Sequence, residues 1–140
     1  MFMINGEGKL VGRVGSVAAK ELLKGYQVCI YNAEKLLVSG NRKDILGRLV
    51  VRRSLQNKAN PEHSPKWPKV PYLLVKRMIR GMLPWKTGRG RLAFKRLRVY
   101  NGAPAPNTSA RELALDSRVP NKCMSVLELC RAVGYPGDKA

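Results

Sequence analysis

Met1-Phe2-Met3-Ile4, stopped by Asn5-Gly6; then Val14, Val17, Ala18 and Leu22; then Val28-Cys29-Ile30-Tyr31: this opening stretch decides the fold. The first run is short and apolar, which suits a strand. The four spaced residues recur at helical intervals, with Arg13, Lys20 and Lys24 on other faces, and predict a helix over about 13–24. Gly25 fits the position just past a helix end. Val28 to Tyr31 is apolar without alternation and is bounded by Gly25 and Asn32, as in a strand covered on both faces within a parallel sheet. Strand, helix and strand within about 30 residues make a βαβ unit, whose crossover is expected to be right-handed.

Beyond this unit, Leu36-Leu37-Val38 is another apolar run, closed by Ser39-Gly40-Asn41. A helix to about Leu55 follows, with Ile45, Leu46 and Leu49 inward and Arg42, Arg48, Arg52 and Arg53 outward. Residues 60–71 hold Pro61, Pro65, Pro68 and Pro71, a density that excludes helix and central strand and predicts an extended loop. Pro71 suits the first turn of a third helix, in which Val75, Met78, Ile79 and Met82 form the apolar stripe and Lys76, Arg77 and Arg80 lie between them. Thr87-Gly88-Arg89-Gly90 reads as a turn into a fourth helix at about 91–97, followed by a brief strand at Arg98-Val99-Tyr100 and a loop over 103–109. Ser125 and Glu128 form a capping box for a last helix, with Val126, Leu129, Cys130 and Val133 inward, Gly134 past its end and Pro136 beyond.

The charge is concentrated. The chain has 140 residues, 27 Lys and Arg against 9 Asp and Glu, and a formal net charge of +18. Residues 42–98 carry 17 of the basic residues and only Asp44 and Glu62 among the acids, and no acid occurs in the 49 positions between Glu62 and Glu112. A solvated surface normally mixes signs. A body this small with this excess calls for a polyanion, either nucleic acid or an anionic membrane. With a hydrophobic share of 44%, a folded single domain over 1–140 is expected rather than a basic tail.

Several function classes drop out. The lone histidine, His63, excludes any site needing two, and the scattered acids nominate no carboxylate pair. Catalytic residues, metal ligands and cofactors are therefore expected to be none. Cys29, Cys123 and Cys130 are odd in number and contain no Cys-x-x-Cys pair, so they read as small buried hydrophobes in a reducing compartment. The loop Gly6-Glu7-Gly8-Lys9-Leu10-Val11-Gly12 sits where a phosphate loop would. Gly8-Lys9 is followed by Leu10 instead of Ser or Thr, and Val11 stands where a dinucleotide motif needs glycine. A tight turn is expected there, with Arg13 and Ser16 at the helix start able to meet an RNA phosphate. No apolar run is long enough to span a membrane, and the N-terminus lacks the pattern of a signal peptide, so a cytoplasmic protein is expected.

RNA is the preferred polyanion. Membrane binding would need one helix with a broad apolar face, whereas the basic residues here are spread over helices, a proline loop and a glycine turn. No helix-turn-helix or zinc-finger spacing points to DNA. The candidate RNA-binding residues are Arg13, Arg42, Arg52, Arg53, Lys66, Lys69, Lys76, Arg77, Arg80, Lys86, Arg89, Arg91, Lys95, Arg96 and Arg98. Trp67 and Trp85, interleaved with them, are candidates for stacking on unpaired bases and equally for core packing. Lys76, Arg77 and Arg80 are expected to reach RNA without supporting the core, and the glycines beside Arg89 and Arg91 to let the backbone approach phosphate. Arg111, Arg118 and Lys139 serve as basic residues expected to matter little.

Two blocks carry a resemblance. Gly12-Arg13-Val14-Gly15-Ser16-Val17-Ala18-Ala19-Lys20-Glu21-Leu22-Leu23-Lys24-Gly25, continued by Val28 to Glu34 and by Ser39-Gly40, resembles the universal large-subunit ribosomal protein thirteen family. Arg80-Gly81-Met82-Leu83-Pro84-Trp85-Lys86-Thr87-Gly88-Arg89-Gly90-Arg91-Leu92-Ala93-Phe94-Lys95-Arg96-Leu97-Arg98-Val99-Tyr100 is similar to its archaeal and eukaryotic branch. With their spacing the blocks cover roughly residues 8–104. Gly15 stands where the family usually has Ala, Asn5 where Asp is common, and the basic C-terminal extension of eukaryotic members is missing. The resemblance implies a three-layer α/β fold, a mostly parallel four-stranded sheet flanked by helices, with basic helical and loop insertions. It implies a structural constituent of the large ribosomal subunit, binding large-subunit ribosomal RNA beside neighbouring large-subunit ribosomal proteins, with no membrane and no small-molecule substrate. A free RNA-binding regulator of translation is the alternative, and a nucleotide-binding enzyme on the βαβ unit a remote one.

Overall fold

A computed structural model describes residues 1–103, 111–113, 115 and 119–137. The opening unit forms as its pattern dictates: strand β1 (Phe2–Asn5), helix α1 (Val11–Leu23) and strand β2 (Val28–Tyr31). β1 and β2 pair in parallel, Ile4 beside Ile30. Strand β4 (Leu97–Val99) lies parallel on the other side of β2, so β2 is central, and Val28, Cys29 and Ile30 are all buried. That central place is why its sequence shows no alternation. Helix α1 starts two residues before Arg13, at Val11, and buries Val11, Val14, Ala18, Ala19 and Leu22. Val17 is only half-buried. Gly25 follows the helix at φ 100° and donates its N–H to the Leu22 carbonyl, closing the last turn.

Two elements escaped the sequence. Strand β5 (Arg111–Glu112) pairs in parallel with β1 and completes a four-stranded sheet in the order β4-β2-β1-β5. Two charged, exposed residues carry no strand signal. The Tyr31 hydroxyl reaches across β1 and donates to the Glu112 carboxylate at 2.7 Å, which ties this edge down. Strand β3 (Leu37–Ser39) pairs antiparallel with β6 (Cys123–Ser125) in a separate two-stranded sheet. Cys123 is exposed there, so the expectation of buried cysteines holds for Cys29 and Cys130 and fails for Cys123.

Helices flank the main sheet in a three-layer α/β arrangement. Helix α2 (Arg42–Ser54) buries Leu49, with Ile45 and Leu46 half-buried. The proline-rich loop that follows is extended except for one 3-10 turn at Pro61–His63, since proline at the start of a turn needs no N–H bond. Helix α3 (Pro71–Met82) does open on its proline, but its buried stripe is Pro71, Leu74, Val75 and Ile79. Met82, expected inside, is 42% exposed, and Leu74, not expected, is fully buried. The stripe closes one turn earlier than its spacing suggested because the chain leaves the helix at Leu83, which takes the buried place. The end of Met82 still lies over α1: a Cβ at Gly15 would come within 2.7 Å of its sulfur.

Helix α4 (Gly88–Lys95) begins three residues before the expected start. The glycines are its first turn. Thr87 caps it, its hydroxyl accepting from the Gly90 N–H at 3.2 Å. Helix α5 (Val126–Ala132) is capped in the same way by Ser125, which accepts from the Glu128 N–H. Its far end is a Schellman turn, with Tyr135 N–H on the Cys130 carbonyl, Gly134 N–H on that of Arg131, and Gly134 at φ 91°. One hydrophobic cluster joins Ile4, Val14, Leu22, Ile30, Leu36, Leu74, Ile79, Leu97, Val126 and Leu129 across both sheets and the helices. The loop expected over 103–109 lies, apart from Ala103, outside the described residues.

Candidate nucleic-acid interface

The outward residues of α3 sit against aromatic rings. The Arg77 guanidinium lies 4.3 Å from the centre of the Trp67 ring, with that of Arg52 at 5.0 Å from the same ring. Lys76 is 5.3 Å from the Phe94 ring and Arg80 5.0 Å from that of Trp85. Cation–π contacts occur about once in every 70–80 residues of a typical protein. Here four fall between Arg52 and Phe94, so the basic segment is arranged by its own aromatics. Trp85 also meets Phe94 edge to face at 5.1 Å.

Lys76, Arg77 and Arg80 are thus half-buried, and the expectation that they stand clear of the fold fails for Arg77 above all. One of its nitrogens donates to the Lys66 carbonyl at 2.6 Å, which fastens the proline loop to α3. Burial, and after it the charge of Arg80, lower its pKa from the usual guanidinium value. Such a group stays charged in a protein, so this desolvation sharpens its field instead of removing it.

Three more arginines have one arm in the fold. Arg53 donates to the Val133 carbonyl, Arg89 to that of Leu23 near the C-terminus of α1, and Arg91 to that of Trp85. Gly90 is buried, and a Cβ there would collide with the Pro84 carbonyl, which already accepts from the Thr87 N–H and hydroxyl. Its lack of a side chain serves this packing. Around Gly88 there is open space.

The other candidates are exposed. Lys66 and Lys69 lie on the proline loop and Lys86 on the turn before α4, while Lys95, Arg96 and Arg98 border a cleft near Gln27 and Val28. Arg98 pairs in register with Cys29, so its side chain leaves the sheet opposite to Leu97 and Val99. Arg13 and Arg42 stand in the first turns of α1 and α2, apart from the aromatic group. Trp67 packs half-buried against the core, and Trp85 is 39% exposed. Of the three comparison residues, Arg111 is exposed on β5, while Arg118 and Lys139 lie outside the described residues.

Among the described residues the ion pairs are Lys24–Glu21 and Lys35–Glu7, both outside 42–98. The middle segment is a cationic surface whose two acids, Asp44 and Glu62, form no ion pair among the described residues. Burial raises the thiol pKa values of Cys29 and Cys130, that of Cys130 to about 11, and the described residues hold no group of three candidate metal ligands. No described helix is long and apolar enough to cross a membrane. The loop at Gly6 is a tight turn, where a Cβ would meet the Asn32 and Tyr31 carbonyl oxygens at 2.8 and 2.9 Å. Sequence alone did not find Phe94, whose ring Lys76 and Trp85 share; nothing but its place beside lysine and arginine could have flagged it.

Comparison with known proteins gives a consistent result. The sequence profile of the family described as "Ribosomal protein L13" matches residues 1–106. The large ribosomal subunit protein uL13 of Methanopyrus kandleri is 42% identical over 102 residues, covering 73% of this chain and 62% of that protein. The protein of the same name from Methanocaldococcus jannaschii is 38% identical over 123 residues, covering 87% of this chain and 85% of its own. That from Archaeoglobus fulgidus is 34% identical over 142 residues, covering 96% and 88%. The profile covers the βαβ unit, the aromatic-lined basic surface and β4 together, and the relatives are archaeal: the chain belongs to the ribosomal protein L13 family, in the branch of those archaeal relatives.

Proposed function

We propose that this chain is a structural constituent of the large ribosomal subunit, a single domain that binds large-subunit ribosomal RNA through its middle segment and supports subunit assembly and translation. One observation carries this beyond the family: the cations of residues 42–98 have no ion-pair partner among the described residues, and four of them, Arg52, Lys76, Arg77 and Arg80, are positioned over aromatic rings. Guanidinium and ammonium groups fixed in this way meet phosphates without first losing side-chain freedom. Its partners are the RNA and adjacent large-subunit proteins, in the cytoplasm. It needs neither catalysis nor a cofactor for this work.

Tagged chain expressed in an archaeal host tests the proposal by sedimentation. It is expected to travel with the large subunit through a high-salt gradient, where loosely held proteins are stripped. Recovery at the top of the gradient, bound to messenger RNA instead, would favour a free regulator and overturn the proposal.

A further inference from the structure

Leu73, Lys76, Arg77 and Arg80 repeat at helical spacing along α3 on the side away from its buried stripe. With Pro68 of the loop and Phe94 of α4 they line an open cleft of about 310 Å³. Its walls combine two chemistries. Leu73, 38% exposed, Pro68 and the Phe94 ring are apolar. Lys76, Arg77 and Arg80 are cations, and no carboxylate lines the cleft. Each cation is packed over a ring, so the positive groups are placed before any ligand arrives. Phe94 is fixed as well, between Lys76 and the edge contact with Trp85.

The occupant must match both chemistries at this size. A bare phosphate would leave Leu73 and Phe94 unused. An apolar side chain would leave three cations unanswered. The volume is at the lower end for small-ligand pockets, which are roughly 300–1,000 Å³, and is too small for a duplex to enter. An unpaired nucleotide has what is missing, a flat ring with apolar faces and a phosphate on either side. We infer that this cleft takes one base bulged or looped out of the RNA, its ring against Phe94 and Leu73 and its flanking phosphates on Arg77 and Arg80. This rests on the RNA-binding function proposed above and adds to it a single-nucleotide site.

The test uses the full chain and two RNA hairpins of equal length, one fully paired in its stem and one with a single bulged 2-aminopurine. At equal salt the bulged hairpin is expected to bind about tenfold tighter, as one stacked base would give, with a rise in 2-aminopurine emission as the base leaves its neighbours in the RNA. Phe94→Leu and Leu73→Ser are each expected to bring the ratio of the two affinities close to one. Thermal melts verify that the variants fold, and Leu73, being exposed, supplies a usable variant should Phe94→Leu unfold. Equal affinity of the native chain for both hairpins overturns the nucleotide site while leaving RNA binding in place. A bulge preference that survives both substitutions overturns it too. Binding to neither hairpin overturns the RNA-binding function along with it.

Discussion

Arg77 shows how one side chain serves both fold and surface. Its planar guanidinium stacks on Trp67 and donates to the Lys66 carbonyl, and it still borders the cationic cleft. A hydrogen bond from a charged group contributes about 1.5–3 kcal/mol, less where solvent screens it, and an exposed cation–π contact about 0.5–1 kcal/mol. Arg77→Gln is therefore expected to lower stability by about 1–2 kcal/mol in denaturant titration. Lys86→Gln, at an exposed position, should stay within about 0.5 kcal/mol. Equal effects would show that the stack does not hold the loop. Tyr31 gives a second test at this scale. Its bond to Glu112, then partial burial, raise its pKa from 10.0 to about 12. A group whose folded pKa is raised adds stability that is complete below its ordinary value and is lost as pH climbs through the folded one. The bond should thus contribute fully at pH 9, and its contribution should be lost as pH climbs from about 10 through about 12. In a spectrophotometric titration Tyr31 is expected to ionise late, and Tyr31→Phe should remove its late contribution. The sequence could not announce either residue's partner, because Lys66 and Glu112 are brought near only by the loop and the edge strand.

Elements whose own residues carry their signal were the legible ones. β2 reads from an unbroken apolar run, α1 from its stripe, and α5 from Ser125, Glu128 and Gly134, because caps and periodicity act within a few residues. β5 and β6 were illegible for the opposite reason: their pairing comes from distant strands and not from their side chains. The shift of α4 has a local cause that spacing hides. Glycine at the start of a helix suggested a turn, yet Gly90 is buried against the Pro84 carbonyl within the first helical turn. A contrast between the glycines follows. Gly90→Ala is expected to destabilise the protein by about 1–3 kcal/mol through overpacking against backbone that cannot move aside. Gly88→Ala, facing open space, should be neutral or should stabilise by up to about 1 kcal/mol through helix propensity. Melting curves of the two variants decide it, and a harmless Gly90→Ala would show that the Pro84 carbonyl can move aside. The candidate site divides in the same way. That residues 42–98 form a basic surface was plain from composition, whereas the pairing of each cation with its ring needed the packing of α3, the loop and α4.

For the whole molecule, the net charge of +18 sets the behaviour toward RNA. If six to ten phosphates are contacted, log K against log salt should slope at about −4 or steeper, at roughly 0.7–0.9 per contact. A slope near −1 would mean that the basic surface stays solvated in the complex. The folded body has to withstand the same charge when free, and the joint core of both sheets makes that feasible. That core is shared between distant parts of the chain. β3 has β6 as its strand partner, the Leu36 carbonyl accepts from the Val126 N–H at 2.8 Å, and the buried Met124, Val126, Leu129 and Cys130 belong to the last stretch of sequence. A chain emerging residue by residue from its own synthesis therefore has β1, β2 and β4 available to pair well before it can finish. Until the segment around residues 123–133 is out, β3 lacks its strand partner and the Leu36 carbonyl its donor, and the nascent protein is a half-closed body carrying nearly all of its positive charge.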